Sequence, residues 1–282
     1  MHSLPIRVGL VDTTNTVDAE TMSAVAAALN VQVTRDLPQA WHVNATVSYL
    51  PNKEKIPQGV WPVQLVKILP PHEGGFHLTK HHQPYAKVLA TPGSNEWTID
   101  ASHEILEMLV DSAGNRLQAS EAIRILGGDV VDAPGKFEYL VEVCDPCEAD
   151  EFGYQIDGYA MSDFITPHYY DYVAVAGTRY SFTGAIKRPR QLLKGGYISF
   201  VNLELDEVQQ ILWVDPAHPP VLRNLGPASG DSLRAFVESK THHEVNERRA
   251  QSRGTAPTVF GRLREYRGVL SEAAKTRAAY YR

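Results

Sequence analysis

Thr98-Ile99-Asp100-Ala101-Ser102-His103-Glu104-Ile105-Leu106-Glu107-Met108-Leu109-Val110-Asp111 is the stretch on which the reading of this chain turns. Ile99, Ile105, Leu106, Leu109 and Val110 recur at helical rather than strand spacing, which predicts a helix over 98–111 that stops near Gly114-Asn115. Leu106, Leu109 and Val110 make one side apolar, so this helix is expected to be half buried. His103 and Glu107 stand four apart, project from the same side one turn apart, and can both reach one metal ion. Glu104 is rotated by about 100° from His103 and reaches the flank, where a carboxylate can take a proton from water on that ion. The plain alternative is an exposed helix with one histidine and two glutamates on its wet face.

On the N-terminal side, 6–11 reads as a short buried strand, 12–16 as a turn and 18–29 as an alanine-rich helix, with a helical continuation over 31–41. Alternation predicts strands over 43–50, 63–69 and 85–91, separated by Pro- and Gly-rich loops. His72, His77, His81 and His82 fall on one such loop; they read as solvated loop histidines rather than a second metal site, because their spacing fits no single helix face. On the C-terminal side, 140–143 and 154–172 read as irregular strand and loop, and 197–201 with 208–214 as a late strand pair. Gly195-Gly196 precedes a strand and not a helix, so it is a hairpin or bulge and not a phosphate cradle. Pro216, Pro219, Pro220 and Pro227 make 215–230 a linker, and 231–253 and 258–281 read as two helices beyond it. The expected fold class is α+β: a metal-binding domain over 1–214, the Pro-rich linker over 215–230, and a basic helical extension over 231–282.

The chain has 282 residues, 43% of them hydrophobic and 21% charged, enough apolar material for a real core. A formal net charge of -6 argues against a protein built to coat nucleic acid or an anionic membrane. That charge divides unevenly: 241–282 holds nine Lys/Arg against four Asp/Glu, whereas 129–171 holds eleven acids against one base, Lys136. The basic helices with their apolar stripes suggest a protein partner or self-association, and nucleic acid is not expected. No apolar run reaches the ~18–20 residues of a membrane span, and the start lacks the apolar stretch of a signal peptide. A cytoplasmic location is therefore expected, or a virion for a phage-derived chain. The two cysteines, Cys144 and Cys147, form a single CxxC, open to reading as a redox pair, half of a metal site, or two small buried residues.

Within the acidic stretch, Glu142, Asp145 and Glu148 stand at spacings of three, 35 to 41 residues after Glu107. A two-ligand helix needs a third donor from elsewhere, and this cluster offers one. Here the chain resembles the zincin metallopeptidases: helix, strands, then a helix bearing His-Glu followed by a distal acidic ligand. Trp41-His42-Val43-Asn44-Ala45, the segment 102–111, Tyr139-Leu140-Val141-Glu142-Val143-Cys144-Asp145-Pro146 and the segment 161–170 also look like a group of bacterial and phage proteins of zincin-like architecture, over roughly 18–200. The resemblance implies His103 and Glu107 as metal ligands, Glu104 as general base, Glu142 as third ligand, and Asp145 orienting His103 or binding directly, with Glu148 able to exchange with either. It implies zinc, a peptide or protein substrate held by an edge strand, and a Tyr or His steadying the developing oxyanion. Tyr169, in the aromatic loop with His168 and Tyr170, is the candidate for that last role; the alternative is that these rings pack the loop onto the sheet.

Glu107 departs from the family's histidine. One neutral imidazole and two carboxylates formally cancel the charge of Zn²⁺, which weakens it as a Lewis acid and admits Mn, Fe or Ca. The expectation is a metal-dependent, peptidase-like hydrolase. Its rival is a catalytically inactive zincin-fold assembly protein, for example of a phage particle, docking through its C-terminal helices. A third reading has no metal at all, only carboxylates in ordinary surface pairs.

Overall fold

The computed structural model describes residues 4–69, 74–90, 96–213, 217–230 and 232–241. The expected helix 258–281 and most of 231–253 lie outside them. The chain starts as β1 (Ile6–Asp12) and α1 (Ala19–Val31), capped by Asp18, whose side chain accepts from Thr21 N. The helical path continues through a π turn, Gln32–Asp36, into α2 (Pro38–Trp41), which ends on His42 in a left-handed conformation. Then follow β2 (Ala45–Tyr49), β3 (Val60–Val66), β4 (Gly75–Lys80), β5 (Gln83–Leu89) and α3 (Trp97–Val110). The first sheet has the order β2-β1-β3-β5-β4, parallel throughout except that β4 runs antiparallel to β5 at the edge.

β4 replaces the expected histidine loop. His81 and His82 both take left-handed backbone angles (φ 51 and 63), the geometry of a two-residue hairpin turn, and fold 75–80 back onto β5. They are exposed, as a solvated-loop reading requires, but His77 is 3% exposed. His72 lies outside the described residues.

A second sheet, β12-β11-β10-β7-β6, is antiparallel throughout. Its long hairpin of β6 (Leu117–Leu126) and β7 (Asp129–Leu140) turns at Gly127-Gly128, both at positive φ. Pro134 and Gly135 bulge out where the register shifts beside Glu121 and Ala122, which is how a proline fits inside this strand. β8 (Tyr154–Ile156) and β9 (Tyr159–Met161) form a small hairpin; β10 (Tyr197–Asn202), β11 (Glu207–Leu212) and β12 (Val221–Gly226) complete the second sheet. β12 corrects the linker reading of 215–230: the prolines flank a strand that pairs with β11 over 221–226. Residues 233–241 form a helix, α4.

The architecture is α+β, with both sheets contributing to one buried cluster that runs from Val8 and Leu10 to Phe200 and Ile211. Among the described residues, no helix is long and apolar enough to cross a membrane. α3 lies against β4 and β5 on one side and β9 on another. A buried polar network fixes its position: Ser102 Oγ donates to Gln32 Oε1 and accepts from Ser162 N (both 2.9 Å), while Gln32 Nε2 donates to Ser162 O at 3.2 Å. The π turn supplies Gln32, a polar side chain with no solvent exposure, for this task.

Arg190 plays a comparable part for the second sheet. Fully buried, it donates to Asp132 Oδ1 (3.0 Å), Ser120 Oγ (2.7 Å), Tyr172 O (3.3 Å) and the carbonyl of Asp171. Arg190→Met strands these acceptors and is expected to lower stability by about 1–3 kcal/mol. A shift of under 0.5 kcal/mol in urea titration would contradict that role.

Candidate metal centre

α3 is buried along its whole length, including Asp100, His103, Glu104 and Glu107. The half-buried helix of the sequence reading is thus covered on every side, and the wet-face alternative fails, since His103, Glu104 and Glu107 are 6%, 4% and 0% exposed. The covering elements bring more ionisable groups: His77 from β4, the segment after β7 that carries Glu142, Asp145 and Glu148, and Arg234 from α4. Buried charges have to find partners, so each carboxylate here can be traced.

Glu107 is the hub. Its Oε2 lies 3.3 Å from His103 Nε2, 3.8 Å from His77 Nδ1 and 2.9 Å from Arg234 Nη1, while Oε1 accepts from Cys144 N at 3.1 Å. Glu104 Oε2 meets His77 Nδ1 at 3.0 Å and Arg234 Nη2 at 3.9 Å. Asp145 Oδ1 stands 3.3 Å from His103 Nε2, so it touches the same imidazole nitrogen as Glu107. Arg234 Nη1 also contacts Glu142 Oε2. Among the described residues, Glu142 Oε1 and His77 Nε2 are buried with no hydrogen-bond partner.

These neighbours set the protonation states. Burial opposes a charge on His103, but Glu107 and then Asp145 outweigh it and hold its pKa well above the usual imidazole value. Burial likewise opposes ionisation of Glu107, yet His103, followed by Arg234 and His77, keeps its carboxyl well below the usual range. Asp145 goes the other way: burial, reinforced by Glu107, raises its carboxyl well above the ordinary value. Among the described residues, five buried carboxylates therefore face one guanidinium and two imidazoles, and one carboxyl is driven toward its neutral form.

Close backbone approaches hold the pieces together. A Cβ on Gly75 would stand 2.9 Å from Glu104 Cγ, and one on Gly196 would stand 2.4 Å from the Asp145 carbonyl oxygen. Gly195-Gly196 is thus a contact point of β10 with the acidic segment, whose chain turns through a 3₁₀ helix at Asp145–Cys147. Cys144 and Cys147 are buried free thiols, and burial pushes both pKa values well up, which suits inert thiols rather than a redox pair.

Three groups of donors have ligand atoms all within 4.8 Å of one another: His77, Glu107 and Glu142; His103, Glu107 and Cys144; and His103, Asp145 and Glu148. The structure therefore gathers His103, Glu104, Glu107, Glu142, Asp145 and Glu148 into one buried centre. It does not group His103, Glu107 and Glu142 as a single trio; the third donor beside Glu107 and Glu142 is His77. The Tyr169 hydroxyl is not among them: it donates to Gln191 O at 3.2 Å, and the ring packs edge-on to Tyr170, the loop-packing alternative. His168 is exposed, 2.8 Å from Asp171 Oδ2.

Sequence reasoning missed His77 and Arg234. His77 sits between Phe76 and Leu78 in a run that alternates like a strand, and that alternation was its signal. Arg234 stands one position after Leu233, at the border of the apolar face formed by Leu233, Phe236 and Val237, where no local pattern marks it as buried. Neither a protein-family model, nor a curated protein, nor a solved structure matches the chain.

Proposed function

We propose that this protein is a divalent-metal-dependent, peptidase-like hydrolase of zincin-like architecture, with Glu107 as the central metal ligand and Glu104 as the base. The observation that carries the reading is the convergence of His77, Glu107 and Glu142, on three separate elements, around ligand atoms no more than 4.8 Å apart. Two carboxylates and an imidazole form a donor set suited to Zn, Mn or Fe, and less to Ca, which takes six to eight oxygens. The antiparallel edge strand β4 beside α3 supports the architecture that the sequence resemblance implies.

When bound, the ion supplies Lewis acidity toward a substrate carbonyl and toward water. Glu104 accepts the proton from the attacking water, and His77 Nδ1, 3.0 Å away, holds that carboxylate in place. His103, one turn before Glu107 on α3 and with Asp145 against the same nitrogen, steadies the Glu107 carboxylate. β4 offers backbone N–H and C=O groups at the sheet edge for an extended peptide.

The Arg234 contacts favour a second reading, in which the guanidinium rather than a metal balances Glu107 and Glu142 and the fold serves as an assembly component. Metal analysis separates the two. After dialysis against Zn²⁺ and removal of excess, mass spectrometry is expected to find about one ion per chain, and His77→Ala or Glu142→Gln to cut affinity by at least about tenfold. Less than a tenth of an equivalent in the unmodified chain and in Arg234→Gln alike would favour the assembly reading.

A further inference from the structure

We infer that α4 is an intramolecular plug: Arg234 competes with the metal ion for Glu107 and Glu142, so loading requires this helix to withdraw. The inference rests on the metal-centre reading above and adds its regulation. Arg234 is 6% exposed, and its guanidinium meets Glu107, Glu142, Glu104 and, at 3.8 Å, Glu238. One oxygen it holds, Glu107 Oε2 at 2.9 Å from Nη1, also lies 3.3 Å from His103 Nε2 and 3.8 Å from His77 Nδ1. A lone pair directed at a guanidinium N–H is not free for a metal, and two cations on one carboxylate repel each other. Occupancy by one therefore opposes the other.

The helix that delivers Arg234 packs outside the main core. Its apolar residues Leu233, Phe236 and Val237 pack with Leu140 and Val208 in a small cluster separate from the main core. Its start is tied by Leu233 N to Asn115 Oδ1 (2.7 Å) and Arg234 N to Gly114 O (2.9 Å). A Cβ on Gly114 would come within 2.9 Å of Arg234 Cβ, so the helix start is seated directly on the turn that ends α3. Withdrawal costs this satellite cluster and the Arg234 ion pairs but leaves the strand pairing of both sheets in place, which makes plug release a local opening and not global unfolding.

The test uses the full chain and Zn²⁺ alone. Equilibrium dialysis should show Arg234→Gln binding Zn²⁺ at least about tenfold more tightly than the unmodified chain, because the closed, non-binding population is removed. Phe236→Ala leaves the site intact and loosens the seat of α4, and should shift affinity in the same direction. Hydrogen exchange gives an independent readout: Zn²⁺ should speed exchange of 233–241 in the unmodified chain and leave it unchanged in Phe236→Ala, where the helix is already released. Equal affinity in all three proteins, with exchange of 233–241 unmoved by Zn²⁺, overturns the plug and leaves the metal centre standing. Zn²⁺ binding by none of the three, with far-ultraviolet circular dichroism showing folded chains, overturns the metal centre and the plug together.

Discussion

Glu107→Ala is expected to lower the stability of the metal-free protein by about 3–5 kcal/mol, the cost of breaking a buried ion pair and leaving its partner uncompensated. No other carboxylate here has as many dependants. Its removal strips Arg234 of a 2.9 Å contact, His103 of its nearest helical partner, and Cys144 N of its acceptor. Glu107→Gln keeps an acceptor for Cys144 N and should lose less. The pH profile gives a second handle on the same group. Because the Glu107 carboxyl is depressed, its contribution is fully present above the unfolded-state value of 4.5 and is lost as pH falls through the lower folded value. Because His103 is raised, its contribution is fully present below 6.5 and is lost as pH rises through the higher folded value. The pair is thus at full strength between 4.5 and 6.5, and Glu107→Ala should flatten both limbs. Urea midpoints measured across that range in chelator provide the check; a loss below about 1 kcal/mol, with both limbs kept, would mean that the network does not bear on stability.

What was legible in the sequence is the local part of this arrangement. α3 could be read because its apolar spacing is a property of consecutive residues, and the same spacing places His103, Glu104 and Glu107. The acidic triplet could be read as a cluster because its members are three apart, and a 3₁₀ turn does bring Asp145 and Glu148 into one group with His103. β4 was hidden by its turn: His81 and His82 adopt left-handed angles without the Gly or Asn that advertises them. The hairpin of β6 and β7 is absent from the sequence reading: Gly127-Gly128 is a turn signal, but Pro134 breaks the strand pattern of β7 and fits only at a bulge. Arg234 is 127 residues from Glu107 along the chain, and no local pattern states that such a distance will close. The sequence also gave no way of choosing between His77 and His103 beside Glu107 and Glu142, since that depends on how the edge strand lies over the helix.

Glu104→Gln should reduce turnover by about 10²- to 10⁴-fold while metal content stays unchanged, the effect of losing a positioned base with the site otherwise intact. Glutamine has nearly the same shape and keeps an oxygen or amide within reach of His77 Nδ1, now 3.0 Å from Glu104 Oε2, so the helix and the donors around Glu107 have no reason to move. What it cannot do is take a proton. His77→Ala should behave differently, because His77 belongs to the group with Glu107 and Glu142 as well as holding Glu104: metal affinity and turnover should fall together. Both measurements belong in the Arg234→Gln background, where α4 no longer competes, with mass spectrometry of a mixed peptide pool as the readout. Arg234→Gln protein that holds metal but cleaves nothing, or cleaves equally with Glu104→Gln added, would remove the hydrolase and leave a metal-stabilised scaffold. Cleavage that disappears with Glu104 while the ion remains would assign the proton transfer to this one carboxylate, because in that comparison the fold, the ion and the released plug are all held constant.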